Sequence, residues 1–267
     1  MNGPTQDKRA VTTEPARFVV SVAVAAVMVR DQQLKVLLVE RREEPFRHWW
    51  ALPSGLVRRG AGEADATLDD AARRVFAEQT DFELAPVYLT QLGSYGDAGR
   101  DPRGDSVSIA YLAVAPRGTG ESKERRSSVG APKWFPTSPL EGAKGLAFDH
   151  GRMLTDAARR TVELVETTAL GLAFCHERFT VADLRHVYEN IWDLPSDSLD
   201  AGNFHHRVMG LKGLLEPVSE DQPVAEAGRG RPPRKFKSGP LLRERGPAAP
   251  LERPFIRPRA ADREQGE

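Results

Sequence analysis

The sequence predicts an α/β domain built on a mixed sheet, followed by a smaller C-terminal winged helix-turn-helix domain. Three observations lead to this fold class. Apolar, β-branched segments dominate the first half of the chain and are interrupted by one amphipathic helical pattern. From residue 149 onward the apolar residues recur at helical spacing, with no Gly or Pro between Arg152 and Leu170. A helix-turn-helix pattern then precedes a basic stretch at 228–237.

Length and composition suit two ordinary domains with unstructured ends. The chain has 267 residues, with 38 basic and 38 acidic side chains, so its overall charge favours no class of partner. A polar start and a tail rich in Pro, Arg and Glu predict disorder at both ends. The predicted segments are a disordered 1–15, an α/β domain at 16–156, a winged helix domain at 157–238 and a disordered basic tail at 239–267.

Cysteine usage and hydropathy exclude several classes of protein. The single Cys175 rules out an internal disulfide framework and a four-thiolate zinc site, and its apolar surroundings predict a buried thiol. No segment has the roughly 18 apolar residues that a membrane-spanning helix needs. The N-terminus lacks the charged-then-apolar order of a signal peptide. We therefore expect a cytoplasmic protein with no membrane partner.

Four segments of the α/β domain have the pattern of strands. The first two, at 17–30 and 34–42, flank a short polar turn and predict a hairpin. Two more are predicted at 86–95 and 106–116, and the loop between them consists of turn-forming residues. The segment 133–154 completes this mixed α/β unit.

One amphipathic helix is predicted at 66–79. Thr67 can cap its N-terminus, and the acidic residues of its first turn suit the helix dipole. Its apolar residues recur at helical spacing and define one face, which comprises Leu68, Ala71, Ala72, Val75 and Phe76.

The segment 52–82, LPSGLVRRGAGEADATLDDAARRVFAEQTDF, resembles a Nudix box that has lost most of its carboxylates. In that family the box forms a loop, a helix and a loop, and its glutamates hold magnesium against a diphosphate. Gly55, Arg74 and Glu78 match the glycine, the arginine and one helix glutamate of the box. The preserved frame indicates a pocket that still binds a phosphorylated molecule.

The departures from the box fall mainly on its metal ligands. Val75 and Gln79 stand where helix glutamates belong, Ser54 replaces a loop glycine, and Asp81 replaces the closing glycine. A five-residue insertion also separates the box glycine from the box arginine. Valine cannot ligate magnesium, and glutamine offers only a neutral amide oxygen.

These losses predict a site with no catalytic residue and no required metal. If residual hydrolysis persists, Glu63 and Glu78 are the candidate magnesium ligands. Two alternatives stay open for this segment. One is an active Nudix pyrophosphohydrolase acting on ADP-ribose-like nucleoside diphosphates, and the other is an amphipathic helix in a domain that binds nothing.

Arginines near the box are candidates for binding phosphate without a metal, because guanidinium groups bind phosphate through two hydrogen bonds. The alternative for any single one is a solvated surface charge. The predicted effector-binding residues are Arg41, Gly55, Arg58, Arg74, Glu78, Arg100 and Arg103.

The C-terminal part has the spacing of a helix-turn-helix. A first helix starts at FTVADLR, with Thr180 as its cap, and NFHHRVMGLKG is the recognition helix. Phe204, Val208 and Leu211 form its inward face. A hairpin-like stretch with a basic end follows, and a Gly-Arg-Gly-Arg run suits a narrow minor groove. The predicted DNA-binding residues are Thr180, Asn203, His205, His206, Arg207, Lys212, Arg229 and Arg231.

The combination resembles the Nudix-related transcriptional regulators, the NrtR family. The stretches WALPSGLVR, GDAGRDPRGDSVSIAYLAV, LAFDHGRML, FTVADLRHVYENIW, NFHHRVMGLKGLLEP and GRGRPPRKFK carry the resemblance. It implies a Nudix-like α/β/α sandwich that binds an effector such as ADP-ribose, and a C-terminal winged helix. It also implies a homodimer on palindromic double-stranded operator DNA, repressing genes of NAD metabolism. A scaffolding protein that uses its tail for contacts is a further alternative.

Overall fold

The computed structural model describes residues 17–60, 64–80, 88–115, 130–137, 145–218 and 233–258. Its strands are β1 (Val19–Arg30), β2 (Gln33–Glu40), β3 (Trp50–Ala51), β4 (Ser54–Leu56), β5 (Leu89–Tyr95), β6 (Ser106–Val114), β7 (Lys133–Pro136), β8 (Leu215–Pro217) and β9 (Phe236–Ser238). Its helices are α1 (Leu68–Thr80), α2 (His150–Thr167), α3 (Val181–Ile191), α4 (Ala201–Gly210) and α5 (Pro240–Arg245), with a 3₁₀ helix at Ala169–Phe174. No helix within these ranges is long and apolar enough to cross a membrane.

A mixed sheet centred on β1 organises the first half of the chain. β1 runs parallel to β6 and antiparallel to β2 and β4, and the sheet continues outward through β3, β5 and β7. The β1–β2 connection is a two-residue turn, in which Asp31 and Gln32 have φ angles of 50° and 57°. The predicted hairpin and the predicted mixed sheet are therefore confirmed.

Helices cover both faces of this sheet, because successive side chains of a strand point to opposite faces. On one face Val24 belongs to the same apolar cluster as Phe76 of α1. On the other face Ala25 belongs to the cluster that contains Met153 of α2. Both helices contact β1 directly. The result is the predicted α/β/α sandwich.

α1 begins at Leu68, slightly later than the predicted start at residue 66, because Thr67 caps it. Thr67 Oγ1 accepts a hydrogen bond from the Asp70 N–H at 3.1 Å. The Asp70 carboxylate accepts in return from the Thr67 N–H at 3.0 Å. This reciprocal pair is a capping box, and it confirms Thr67 as the predicted cap.

Two helices replace the single long helix predicted from residue 149 to residue 174. The backbone is extended at Thr168, with φ −133° and ψ 175°, and the 3₁₀ helix follows. The Thr168 hydroxyl accepts from the Leu170 N–H at 3.3 Å, so a side chain that competes with the helix hydrogen bonds ends α2. The domain boundary predicted at residue 156 falls within α2, so one continuous helix joins the two parts.

α3, α4 and the β8–β9 pair give a helix-turn-helix followed by a two-stranded sheet. Thr180 and Asp183 form the predicted capping box at the start of α3. Phe204, Val208 and Leu211 are buried, which confirms the predicted inward face of α4. β8 and β9 pair antiparallel at the base of the predicted hairpin.

The C-terminal tail corrects the prediction of disorder over 239–267. α5 follows β9, and residues 249–257 run back along the end of α2 and against α3 and α4. The N–H groups of Leu251 and Phe255 donate to carbonyl oxygens in the last turn of α2, at 2.9 and 2.8 Å. Phe255 is buried, with its ring centroid 4.5 Å from that of Tyr188. Composition misses this packing because a few apolar residues anchor a mostly polar segment.

Candidate functional site

A polar pocket opens where β4, the loop before β6 and the start of α2 meet. Its volume is about 180 Å³. It brings together four of the residues predicted to bind an effector, namely Arg41, Gly55, Arg100 and Arg103. Sequence reasoning did not single out Glu43, Asp101, Phe148 or His150, which also line the pocket. The predicted Arg58, Arg74 and Glu78 lie outside it.

Two arginines lie over one aromatic ring in this pocket. The Cζ atoms of Arg41 and Arg103 are 4.8 and 5.5 Å from the centroid of Phe148. Arg41 Nε donates to the Pro45 carbonyl at 2.9 Å. Arg103 forms a two-point ion pair with Asp101, at 2.9 and 2.7 Å. Burial, and then the charge of Arg103, lower the pKa of Arg41, so an anion bound beside both guanidinium groups would relieve an existing repulsion.

Arg100 lines the pocket, but its guanidinium group is already engaged. Its Nε and Nη2 donate to the two carboxylate oxygens of Asp149 at 3.0 and 2.7 Å. Its Nη1 donates to Ser106 Oγ at 3.0 Å, and its side chain is only 5% exposed. Arg100 therefore ties the loop before β6 to the start of α2. A direct contact between Arg100 and an effector would require this pair to break.

Arg74 is the centre of a network that holds the loop between β4 and α1. Its Nε and Nη2 donate to the buried Asp65 carboxylate at 2.7 and 2.8 Å, and its Nη2 also donates to the Leu56 carbonyl at 2.9 Å. The Asp65 carboxylate further accepts from the Arg58 N–H at 2.7 Å. The Arg74 guanidinium lowers the pKa of Asp65 to about 2. Asp65, which the sequence did not single out, is thus the fixed anion of the loop.

Glu78, the retained box glutamate, is held by two arginines. Its carboxylate lies 3.0 Å from Arg58 Nη1 and 3.1 Å from Arg74 Nη1. These three side chains form an ion-pair network at the protein surface, beside the pocket and not inside it. A carboxylate neutralised in this way is a poor ligand for a cation.

Gln79 and Val75 have packing roles at the positions of the lost glutamates. The Gln79 side-chain amide accepts from the Ser54 N–H at 3.1 Å and donates to the Ser54 carbonyl at 2.8 Å. Val75 is buried, and its Cγ2 would lie 3.0 Å from a Cβ atom added at Gly55. Both side chains therefore hold the loop of the box against α1.

The donor set does not fit magnesium. Among the described residues no three His, Cys, Asp or Glu side chains are grouped so that they could hold a metal ion. Val75 has no donor atom, the Gln79 amide is used by Ser54, and Glu78 is paired with arginines. Glu63, the other candidate, lies outside the described residues.

His150 is a buried, neutral side chain at the base of the pocket. Its Nδ1 accepts a hydrogen bond from the Leu52 N–H at 3.1 Å, so the ring proton belongs on Nε2. Burial lowers the pKa of His150 to about 4. The imidazole therefore fixes the strand end before the box glycine and adds no charge near neutral pH.

The N-terminal half of α4 presents predicted DNA-binding residues to solvent. Asn203, His205 and His206 are exposed on this helix, and Lys212 is exposed just after it. Asp200 caps the helix, since its Oδ1 accepts from the Asn203 N–H at 2.7 Å. The cap leaves the side chains of this first turn directed outward for other partners.

A buried carboxylate sets the turn between α3 and α4. Glu189 is 1% exposed, and its two carboxylate oxygens accept from the N–H groups of Asp197 and Leu199 at 3.2 and 3.0 Å. Arg185 donates to the Leu199 carbonyl at 2.8 Å. The helical pattern did not reveal this arrangement, because a charged residue within an amphipathic helix is usually solvated.

The other predicted DNA-binding residues differ in their placement. Arg207 lies against the C-terminal segment: it donates to the Pro254 carbonyl, and its Cζ is 5.1 Å from the Phe255 ring centroid. The Thr180 hydroxyl is used by the α3 capping box. Arg229 and Arg231 lie outside the described residues. DNA contact by these side chains stays a prediction.

Comparison with protein families and curated proteins identifies relatives of both kinds. Residues 20–157 match the model of the NUDIX domain. The chain is 34% identical to the ADPR responsive transcriptional repressor NtrR of Acinetobacter baylyi over 204 residues, which is 76% of each protein. It is 31% identical to an ADP-ribose pyrophosphatase of Methanocaldococcus jannaschii over 139 residues, which is 52% of this chain and 73% of the relative.

Comparison with solved structures extends the likeness through the helix-turn-helix. NrtR of Shewanella oneidensis, crystallised with a 27mer DNA, is 26% identical to this chain with a TM-score of 0.68, covering 89% of this chain and 99% of NrtR. A MutT/nudix family protein of Enterococcus faecalis shares the fold, at 24% identity and a TM-score of 0.67, over 85% of this chain and 88% of that protein.

Proposed function

Because this chain belongs to the NUDIX domain family, and within it to the Nudix-related transcriptional regulators of the NrtR type, we propose that it is a DNA-binding transcriptional repressor controlled by ADP-ribose or a related nucleotide. The effector binds the pocket of the α/β part. The genes implied by the family resemblance, those of NAD metabolism, are the proposed targets.

The observation that carries this proposal is a cationic pocket beside a Nudix box that lacks its metal ligands. Arg41 and Arg103 over Phe148 offer guanidinium donors to a diphosphate. Val75 and Gln79 pack the loop in place of binding magnesium. A site of this kind binds a nucleotide without cleaving it, which is what a sensor of that nucleotide requires.

DNA binding is assigned to α4 and to the strands that follow it. The exposed Asn203, His205 and His206 suit major-groove contacts, and Lys212 suits a phosphate contact. We propose a homodimer on a palindromic operator, with half-sites one helical turn or a multiple apart. Each major mismatch of such a site costs about 1–3 kcal/mol, so a modest change in the spacing of two α4 helices releases the DNA.

The proposal is tested by fluorescence anisotropy with DNA from upstream of the protein's own coding sequence, and with a scrambled duplex of equal length as the control. We expect specific binding that weakens when ADP-ribose is added, and no effect of ribose 5-phosphate. Equal binding to both duplexes at moderate salt would remove the DNA-binding function. Specific binding that no nucleotide diphosphate sugar changes would remove the switch.

The likeness to an ADP-ribose pyrophosphatase favours hydrolysis as the second candidate function. It is tested by incubating the protein with ADP-ribose and magnesium and measuring AMP. Because Glu78 is paired with Arg58 and Arg74, we expect no turnover. Turnover that is lost in the Glu78→Gln variant would establish the chain as an enzyme.

A further inference from the structure

A cluster of three aromatic side chains lies beside the arginine pocket, on the loop between β2 and β3 and at the start of α2. The Phe46 ring centroid is 4.9 Å from that of Phe148 and 5.4 Å from that of Trp49, and both contacts are edge-to-face. Phe148 lines the pocket, whereas Trp49 extends away from it and is 42% exposed. We call Phe46, Trp49 and Phe148 the aromatic shelf.

The backbone at this shelf is held in an unusual conformation. Phe46, His48 and Phe148 have φ angles of 65°, 67° and 54°, a region that bulky residues rarely adopt. Each such residue costs on the order of 1–3 kcal/mol, and such strain concentrates at sites that bind ligands. Turns at other places in the chain carry positive φ on Asp or Gln, but here three ring-bearing residues carry it around one pocket.

Hydrogen bonds fix the loop that carries the shelf. The Arg41 N–H donates to the Trp49 carbonyl at 2.9 Å, and the His48 N–H donates to the Arg41 carbonyl at 2.8 Å. The His48 ring lies 3.0 Å from the Glu40 carboxylate. The loop therefore sets the position of the Arg41 guanidinium and of the Trp49 ring together.

The size of the pocket leaves a nucleotide only partly enclosed. Its volume of about 180 Å³ is below the roughly 300–1,000 Å³ of sites that enclose a drug-sized ligand. Its walls carry guanidinium, carboxylate and hydroxyl groups, which suit a diphosphate and a sugar and not a base. A planar base attached to a diphosphate held by Arg41 and Arg103 must then lie outside the pocket.

From this placement we propose that the aromatic shelf is the base subsite of the effector site, with Trp49 as the ring on which the base stacks. The inference rests on the proposed function and adds to it the chemical class of the ligand: a nucleotide with an aromatic base, and not a sugar phosphate or pyrophosphate alone. The exposed ring of Trp49 is available to a base, because its contact with Phe46 is edge-to-face.

Isothermal titration calorimetry with two ligands tests the shelf. For ADP-ribose, Trp49→Ala weakens binding about 5- to 100-fold, the size of one base–aromatic stack. For inorganic pyrophosphate, the same variant binds within about twofold of the wild-type protein, since no base is present. The conservative Trp49→Phe variant keeps a stacking face and restores ADP-ribose affinity to within about threefold. Thermal melting of both variants checks that they fold.

The outcomes separate the shelf from the proposed function. If Trp49→Ala weakens pyrophosphate binding as much as ADP-ribose binding, Trp49 merely holds the loop of Arg41 and the subsite is overturned. Unchanged ADP-ribose binding by Trp49→Ala overturns it as well. If wild-type protein does not bind ADP-ribose, AMP, GMP and NAD are titrated instead. Binding of any of them that depends on Trp49 supports the shelf without the proposed effector, and no such dependence overturns both.

Discussion

Gln79 and Val75 show how single substitutions changed the chemistry of the box while keeping its shape. The Gln79 amide both donates to and accepts from the Ser54 backbone, which a carboxylate could not do because it has no proton to donate. Val75 packs where Gly55 leaves room for it. At the same scale Arg74 and Glu78, which match the box by residue type, serve an ion-pair network and not a metal site.

Arg103→Ala tests the cationic pocket at the residue scale. We expect ADP-ribose affinity to fall about 10- to 100-fold, because a hydrogen bond to a charged group contributes roughly 1.5–3 kcal/mol. Arg42→Ala removes an exposed arginine next to Arg41 and serves as the matched control. Calorimetric titration of both variants measures the effect. Equal affinities for the two variants would take Arg103 out of the effector site.

His150 makes part of the stability depend on pH. Its pKa is about 4 in the folded protein because it is buried, against an ordinary value of 6.5 in the unfolded chain. The unfolded state therefore binds more protons between these values, and His150 lowers the free energy of unfolding as pH falls from 6.5 to 4. His150→Gln abolishes this dependence. Urea denaturation at pH 7, 6, 5 and 4.5 should show the stability difference between wild type and variant shrinking with acidity. Parallel curves would refute this role.

Among the elements, α4 has its orientation set by neighbours that the helical pattern does not reveal. Glu189 binds the preceding turn through two backbone N–H groups, and the C-terminal segment contacts Arg207 from the other side. The exposed first turn of α4 is thus held at both ends of the unit. Rigid support of this kind lets a few side chains read DNA with little loss of conformational entropy on binding.

Lys212→Ala tests the role of the residue that follows α4. If Lys212 binds one phosphate in each half-site, operator affinity falls, and the slope of log affinity against log salt decreases by about 0.9 for each phosphate that the variant leaves unbound. Lys133→Ala, an exposed lysine on β7, is the control and should leave the slope unchanged. Anisotropy titrations between 50 and 200 mM salt measure both slopes. A Lys212→Ala slope equal to that of the wild-type protein would mean that Lys212 does not meet DNA.

In the whole molecule, the α/β part and the helix-turn-helix are linked at three places. α2 is continuous across them, Ser196 in the α3–α4 turn donates to the Gln32 side chain in the β1–β2 turn at 3.3 Å, and the C-terminal segment spans both. That segment hydrogen bonds to the end of α2 and inserts Phe255 beside Tyr188 and Phe204. A displacement of α2, whose first turn borders the pocket, therefore reaches α4 through packed groups.

Phe255→Ala tests the C-terminal segment as part of the folded core. Loss of a buried phenylalanine side chain costs about 3–5 kcal/mol, so we expect a clearly lower free energy of unfolding. Ile256→Ala, at an adjacent side chain that is 76% exposed, is the matched control and should change stability by less than about 0.5 kcal/mol. Urea denaturation compares the two. If both variants were as stable as the wild-type protein, the tail would not be part of the core.

The sequence by itself determined the fold class, the cap of α1, the inward face of α4 and the loss of box carboxylates. These are local properties, since periodicity, capping and residue type are readable over a few neighbours. The tertiary structure alone decided which arginines meet in the pocket, since Arg41 and Arg103 come from distant loops while Arg100 turns to Asp149. It also decided that the tail packs, because Phe255 is stabilised by rings far away in the chain, and no local pattern records them.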